Sequence, residues 1–231
     1  MVTKLNIRKA VSFSMLPLWL FLLIPMGLIA ADPDPTADQI AQKMQDHYQN
    51  VTNFKADFVQ TTAHKMFAGH FQRSYGQVMF KDGGLMRWEY QRPDKKLFVY
   101  DGTVLWVYEP EVPQVFKGSA NADRMKRALS FMTGQGKIKD SYKIRKVNAT
   151  AYGYSQGFVL ILTPKEKNSP FKQIELYLDK ETFSVARSVV IDHEGNRNRL
   201  DFSNTKNNLT MDAGLFAFTP PANVPIVSAD Q

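Results

Sequence analysis

Hydrophobic residues recur along this chain with two periods. Ala37, Ile40, Ala41, Met44 and Tyr48 fall at helical spacing and predict one amphipathic helix ending near Tyr48. Asp34 or Thr36 supplies its N-cap, Pro35 suits its first turn and Asp38 the positive end of its dipole. Beyond it the period is two. Phe54, Ala56 and Phe58 alternate with Lys55, Asp57 and Val59; a longer strand runs from His70 to Phe80 and is turned by Gly83-Gly84. Met86, Trp88 and Tyr90 alternate with Leu85, Arg87 and Glu89. Lys96 to Tyr100 and Thr103 to Tyr108 flank Asp101-Gly102, a pair that predicts a two-residue hairpin turn with positive φ at both positions. Further strands are predicted at Val112–Phe116, Tyr142–Val147, Phe158–Leu162, Phe171–Leu178, Phe183–Ile191, Arg197–Ser203 and Gly214–Phe218, with Gly195 in a turn. About ten or eleven strands joined by short turns predict one antiparallel, strongly curved sheet or barrel.

Two stretches break this pattern. From Asn121 to Thr133 the period returns to helical: Met125, Ala128, Leu129 and Met132 share one side, with Arg124, Lys126 and Arg127 on the other, and Gly134 and Gly136 stop it. At the start of the chain, Lys4, Arg8 and Lys9 precede a stretch from Ala10 to Ala31 without a charge. A basic start, an apolar run and small residues at its end predict a secretory signal peptide over residues 1–31, with residues 32–231 as a single exported domain. The run is also long enough to span a bilayer, so an uncleaved anchor is the alternative.

The aromatic content of the strands is the informative chemistry. In Leu97–Tyr108 both alternating sets are apolar: Leu97, Val99, Leu105 and Val107 form one, and Phe98, Tyr100, Trp106 and Tyr108 the other. Two arrangements account for this. The sheet is buried on both faces, or its concave side is the wall of a ligand cavity closed by the Met125–Met132 helix, whose methionines repack easily around variable ligands. Parity alone does not say which set faces inward.

Composition narrows the remaining classes. The 231 residues contain no cysteine, which excludes disulfides, thiolate metal sites and cysteine nucleophiles. The net charge of +7 falls on an ordinary globular composition and does not mark a nucleic-acid binder. His47, His64, His70 and His193 lack metal-ligand spacing, and no hydrolase, phosphate-loop or dinucleotide motif is present. Asp192-His193-Glu194 reads as a solvated turn between two strands. Neither a cofactor nor a catalytic group is expected.

A series of motifs occurs in order: Phe58-Val-Gln60, Gly76-Gln-Val-Met-Phe80, Arg87-Trp-Glu-Tyr90, Pro93 to Gly102, Leu105-Trp-Val-Tyr-Glu-Pro110, Gln114-Val115, Leu162-Thr-Pro164 and Phe216-Ala-Phe-Thr-Pro-Pro221. The series resembles the periplasmic outer-membrane lipoprotein carrier family (LolA type) of Gram-negative bacteria. The resemblance spans about Ala37 to Val227. It implies a mainly β fold with helices: an incomplete antiparallel barrel of about eleven strands with a helical lid over an apolar cavity. It also implies a periplasmic chaperone. Such a protein takes acylated lipoproteins from an inner-membrane ABC transporter and gives them to an outer-membrane acceptor, acting as a monomer and without catalysis. The acceptor is lipid-anchored through a cysteine, so this cysteine-free chain resembles the carrier.

On this reading Phe58, Met86, Trp88, Tyr90, Phe98, Trp106 and Tyr108 line the acyl-chain cavity, and Met125, Leu129 and Met132 lie on the lid. Members commonly place an Arg-Pro pair before the third strand, and that arginine pins the lid. Here the pair is Asp82-Gly83, which leaves Arg87 as the candidate lid-locking cation. A lipid- or glycolipid-binding sensor and a membrane-tethered lipid-binding protein of the same fold are the alternatives.

Overall fold

The computed structural model describes residues 34–67, 69–112, 114–118 and 138–228. Pro35–Gln231 makes up one compact unit. Its frame is a twelve-stranded sheet, interrupted by few helices. Residues 1–31, and the helix predicted from Asn121 to Thr133 with Met125, Leu129 and Met132, lie outside the described residues.

Helix α1 (Ala37–Gln49) begins where the sequence places a cap. Thr36 Oγ1 accepts from the Gln39 backbone N–H, and the Gln39 side chain accepts from the Thr36 N–H, so two otherwise unpaired amides are satisfied reciprocally. Strands β1 (Asn53–Ala63), β2 (Phe71–Lys81), β3 (Leu85–Arg92), β4 (Lys96–Tyr100), β5 (Leu105–Glu109) and β6 (Gln114–Gly118) follow as a meander. A short helix α2 (Ile138–Ser141) then leads into β7 (Tyr142–Val147), β8 (Gly157–Pro164), β9 (Gln173–Asp179), β10 (Val185–Ile191) and β11 (Arg197–Asn207). The long strand β1 joins the two series, pairing with β2 on one side and β11 on the other. The sheet order is β12-β6-β5-β4-β3-β2-β1-β11-β10-β9-β8-β7, with β12 (Ile226–Ser228) added parallel to β6. The sheet is curved and open, with β7 and β12 at its edges: an incomplete barrel.

The apolar core lies on one face, called inner here. One continuous cluster joins Ile40, Ala41, Met44 and Tyr48 of α1 to residues of β1–β5 and β7–β10. A smaller cluster of Tyr154, Val159, Ile161, Tyr177, Val189 and Ile191 sits on the outer face of β8–β10. Helix α1 lies against β7, β8 and α2, and the Tyr48 hydroxyl accepts from the Val185 N–H at 3.0 Å.

Two turns differ from the sequence reading. The β4–β5 connection spans four residues, 101–104, because Tyr100 pairs with Leu105. Only Gly102 has positive φ; Asp101 instead uses its carboxylate to accept from the Thr103 and Val104 N–H groups. A side-chain-capped loop replaces the two-residue turn. The strand predicted at Gly214–Phe218 is a short 3-10 helix, Ala213–Phe216, opened by the Asp212 carboxylate accepting from Gly214 N–H. The segment from Asn208 to Pro225 runs over the outer face as a strap. It is tied down by Lys81 to the Met211 carbonyl, by Arg87 to the Leu215 carbonyl and by Val115 N–H to the Pro225 carbonyl.

Candidate functional site

Strand register sorts the aromatic residues of β1–β6 into rows. One row runs Phe54, Phe80, Met86, Tyr100, Leu105. The next runs Ala56, Val78, Trp88, Phe98, Val107, Phe116, and a third runs Phe58, Gly76, Tyr90. These rows belong to the inner face, because successive strand residues alternate sides and Phe54, Ala56 and Phe58 lie in the same cluster as α1. Phe58, Met86, Trp88, Tyr90 and Phe98 therefore stand together on one wall.

The wall is held by rings. Phe58 meets Trp88 edge-on at 5.1 Å and Tyr90 at 5.0 Å, Phe54 stacks on Phe80 at 5.0 Å, and Tyr90 meets Phe98 at 5.5 Å. Gly76 makes the central contact possible. A Cβ there would collide with the Glu89 carbonyl and lie 2.7 Å from the Phe58 ring, which lies across the strand where a side chain would stand. Burial pushes the pKa of the Tyr90 hydroxyl up to about 12, so this phenol stays neutral at any physiological pH; beyond Tyr90 the row continues to Lys96, which pairs with Glu109 at 3.2 Å. Among the described residues, the Trp88 indole N–H is buried without an acceptor. Tyr90, Phe98, Val107 and Phe116 keep partial exposure, whereas Met86 and Trp88 are buried.

Trp106 and Tyr108 lie on the opposite side. Their strand positions pair with Val99 and Leu97, which alternate with the inner residues, and both rings pack on Phe218 of the strap, at 5.8 and 6.0 Å. Arg87 also faces outward, between Met86 and Trp88 in sequence. Its guanidinium pairs with Glu89 and donates to the Leu215 carbonyl at 3.0 Å. It fastens the C-terminal strap, and its side of the sheet is the wrong one for a group closing the inner face. Strand parity supplies the physical reason in all three cases. Phe54, Phe80, Tyr100, Leu105 and Val107 complete the wall; they share the parity of Phe58 and Trp88 once the register is known.

Among the described residues no cluster of metal-ligating side chains occurs. Asp192, His193 and Glu194 form a turn: Asp192 and Glu194 accept from Asn196, and a His193 ring nitrogen lies 2.9 Å from the Ser169 carbonyl. That arrangement caps a turn and activates no nucleophile.

The profile of the family described as "Outer membrane lipoprotein carrier protein LolA" matches residues 49–219, well over half of the chain. An outer-membrane lipoprotein carrier protein of Chromobacterium violaceum is 27% identical over 214 residues, covering 91% of this chain and 98% of the relative. One from Xanthomonas campestris pv. campestris is 29% identical over 161 residues, 69% of this chain and 75% of the relative. An uncharacterized conserved protein from Thermus thermophilus shares the fold, with a TM-score of 0.51 at 16% identity over 83% of this chain and 98% of that one.

Proposed function

The chain belongs to the outer membrane lipoprotein carrier (LolA) family, and from that premise we propose that it is a periplasmic chaperone that shields the acyl chains of lipoproteins between the inner and outer membranes. An inner-membrane ABC transporter loads it and an outer-membrane acceptor unloads it. The observation that carries this reading is the aromatic inner wall, continuous with the core yet partly exposed at Tyr90, Phe98, Val107 and Phe116. Moving an acyl chain into water costs about 0.8 kcal/mol per CH₂, so a free triacylated protein does not cross the periplasm. An apolar wall removes most of that cost. Its attraction is non-directional, so one wall serves many cargoes. Release requires only a better apolar site downstream; no bond is made or broken, and the protein is not an enzyme. Residues 1–31 direct export.

The unpaired Trp88 N–H supports a lipid with polar linkages. A buried donor without a partner is costly, and the ester carbonyl of an acylated cysteine is an acceptor that such cargo brings. The test is uptake of a fluorescent triacylated lipopeptide by the protein recovered from the periplasm. One-to-one uptake is expected. Trp88→Phe should weaken binding of an ester-linked lipopeptide about five-fold, near the net value of one hydrogen bond, and leave an ether-linked analogue unchanged. Failure to acquire any lipopeptide, even from the inner-membrane transporter, sinks the carrier reading.

A further inference from the structure

The turn between β1 and β2 carries apolar side chains that the carrier reading does not use. Met66 is 86% exposed, Phe67 60% and Phe71 59%, the three largest values among the exposed large hydrophobic side chains of the described residues. All three sit at one hairpin end. Ala63 pairs with Phe71 across the last rung, and residues Lys65–Phe67 form a 3-10 turn. Its backbone is fixed by hydrogen bonds from Phe67 N–H to the His64 carbonyl and from His70 N–H to the Phe67 carbonyl. Lys65 N–H donates to the Asn196 side chain, which ties the tip to the adjoining β10–β11 turn. The tip is thus a built wedge. Phe67 and Phe71 wall a groove of about 410 Å³ with Thr62, His64, His70 and Gln72, so the rings stand apart with space between them.

Charge selects the occupant. From Phe58 to Tyr75, the part of the hairpin around the tip, there is no carboxylate, while Lys65 and Arg73 are cationic. Arg73 stands over the Phe71 ring at 4.9 Å, beside the apolar tip. The acids of the adjoining turn, Asp192 and Glu194, accept hydrogen bonds from the neutral Asn196 amide, which leaves their charges in place, so the attraction rests on Lys65 and Arg73 at the tip itself. A narrow wedge of three side chains falls short of the roughly 800 Å² per partner that a stable protein interface buries. Aromatic and thioether groups flanked by cations instead suit the headgroup region of a bilayer.

We propose that the β1–β2 hairpin tip is a membrane-contact wedge that seats Met66, Phe67 and Phe71 among the headgroups of an anionic bilayer surface. Lys65 and Arg73 meet the lipid phosphates, and the rest of the sheet stays in water. The contact is weak and reversible, and it brings the protein to a membrane without embedding it.

The absence of cysteine gives a clean test. Met66→Cys, labelled with a polarity-sensitive fluorophore, reports on the tip alone. Glu181→Cys reports on the β9–β10 turn at the other end of the sheet. With phosphatidylcholine vesicles containing phosphatidylglycerol, emission from position 66 should shift to the blue and that from 181 should not. Replacing both cations (Lys65→Gln with Arg73→Gln) should raise the lipid concentration required about thirty-fold, at about 1 kcal/mol per cation near an anionic surface. No shift at position 66, or an equal shift at both positions, overturns the proposal. An equal response to purely zwitterionic vesicles overturns the role of the cations. Phe67→Ser with Met66→Ser should abolish vesicle binding and preserve lipopeptide uptake, which keeps this outcome distinct from that of the carrier reading.

Discussion

The two halves of the sheet bury their inner faces in different ways. On β8–β10 the inward residues are mostly aliphatic, with Phe158 and Ser188 the exceptions: Leu160, Leu162, Ile174, Leu176 and Leu178 are all 0% exposed, and α1 lies against β7 and β8. On β1–β4 the inward residues are mostly rings, and the wall grades from buried Trp88 to half-buried Tyr90 and Phe98. The outer faces differ in the same sense. The β8–β10 half carries a second apolar cluster and a charged row, while the β3–β6 half is covered by a strap resting on Trp106 and Tyr108. Interdigitated aliphatic side chains fill space and leave little to rearrange. Rings that meet edge-on or tilted at 5.0–5.5 Å present broad flat surfaces, the kind of surface the proposed guest chain would cover. One half is the structural core, and the other is the surface on which the proposed function depends.

The contrast can be broken most severely at Gly76. Gly76→Ala places a methyl group against the Glu89 carbonyl and the Phe58 ring, both of which would have to shift. A loss of about 3 kcal/mol or more is expected, as for overpacking in a core, visible as a drop in Tm and as dispersion of the Phe58–Trp88–Tyr90 contacts in aromatic NMR spectra. An unchanged Tm would show that β2 and β3 move apart freely there.

A matched pair sharpens the comparison. Leu176→Ala empties a site that is 0% exposed and should cost about 2–5 kcal/mol by chemical denaturation. Phe98→Ser, at a half-buried ring, should cost less in stability yet reduce lipopeptide affinity at least ten-fold. If both substitutions lowered affinity alike, the division between core and binding wall would fail.

The smallest effect lies on the outer face of the aliphatic half. Asp201 is gripped by Arg187 Nε at 2.6 Å and by both Nε and Nη2 of Arg199. Partial burial acts to raise its pKa, but hydrogen bonds from Arg199 and then Arg187 outweigh it and hold the carboxyl below its ordinary value. The unfolded chain then binds the proton more readily than the folded one. The contribution is present above the ordinary carboxylate range and is lost as pH falls through the depressed folded value. It should be no more than about 1 kcal/mol for this partly exposed cluster. Asp201→Asn should flatten that part of the pH–stability curve, and an unaltered curve would assign the slope to other carboxylates.

Much of the frame was legible because local chemistry and tertiary packing agree. Thr36 and Gln39 mark the start of α1, and the period-two segments became strands within a few residues of their expected limits. The inner wall was legible only in part. In Leu97–Tyr108 both alternating sets are apolar because both are covered: Phe98 and Val107 belong to the inner layer, and Trp106 and Tyr108 meet Phe218 more than a hundred residues away. That partner is set by the path of the strap, which no local period encodes. Phe216 and Phe218 imitate a strand for the same reason. They alternate because one is buried and the other meets the outer rings, not because the segment joins a ladder.

Among the described residues the incomplete barrel has two edge strands, β7 and β12, and an unpaired edge is a template on which identical molecules add strand upon strand. The edges here are blunted by different means. The β7 edge carries Lys143, Arg145 and Lys146, so a second copy brought alongside meets like charge. The β12 edge is three residues long and parallel to its neighbour, too short a rail for another chain to extend. Both devices oppose the addition of a further strand at an open edge. Deleting β12 would bare the five-residue edge of β6 and turn a carrier into a seed for its own aggregation.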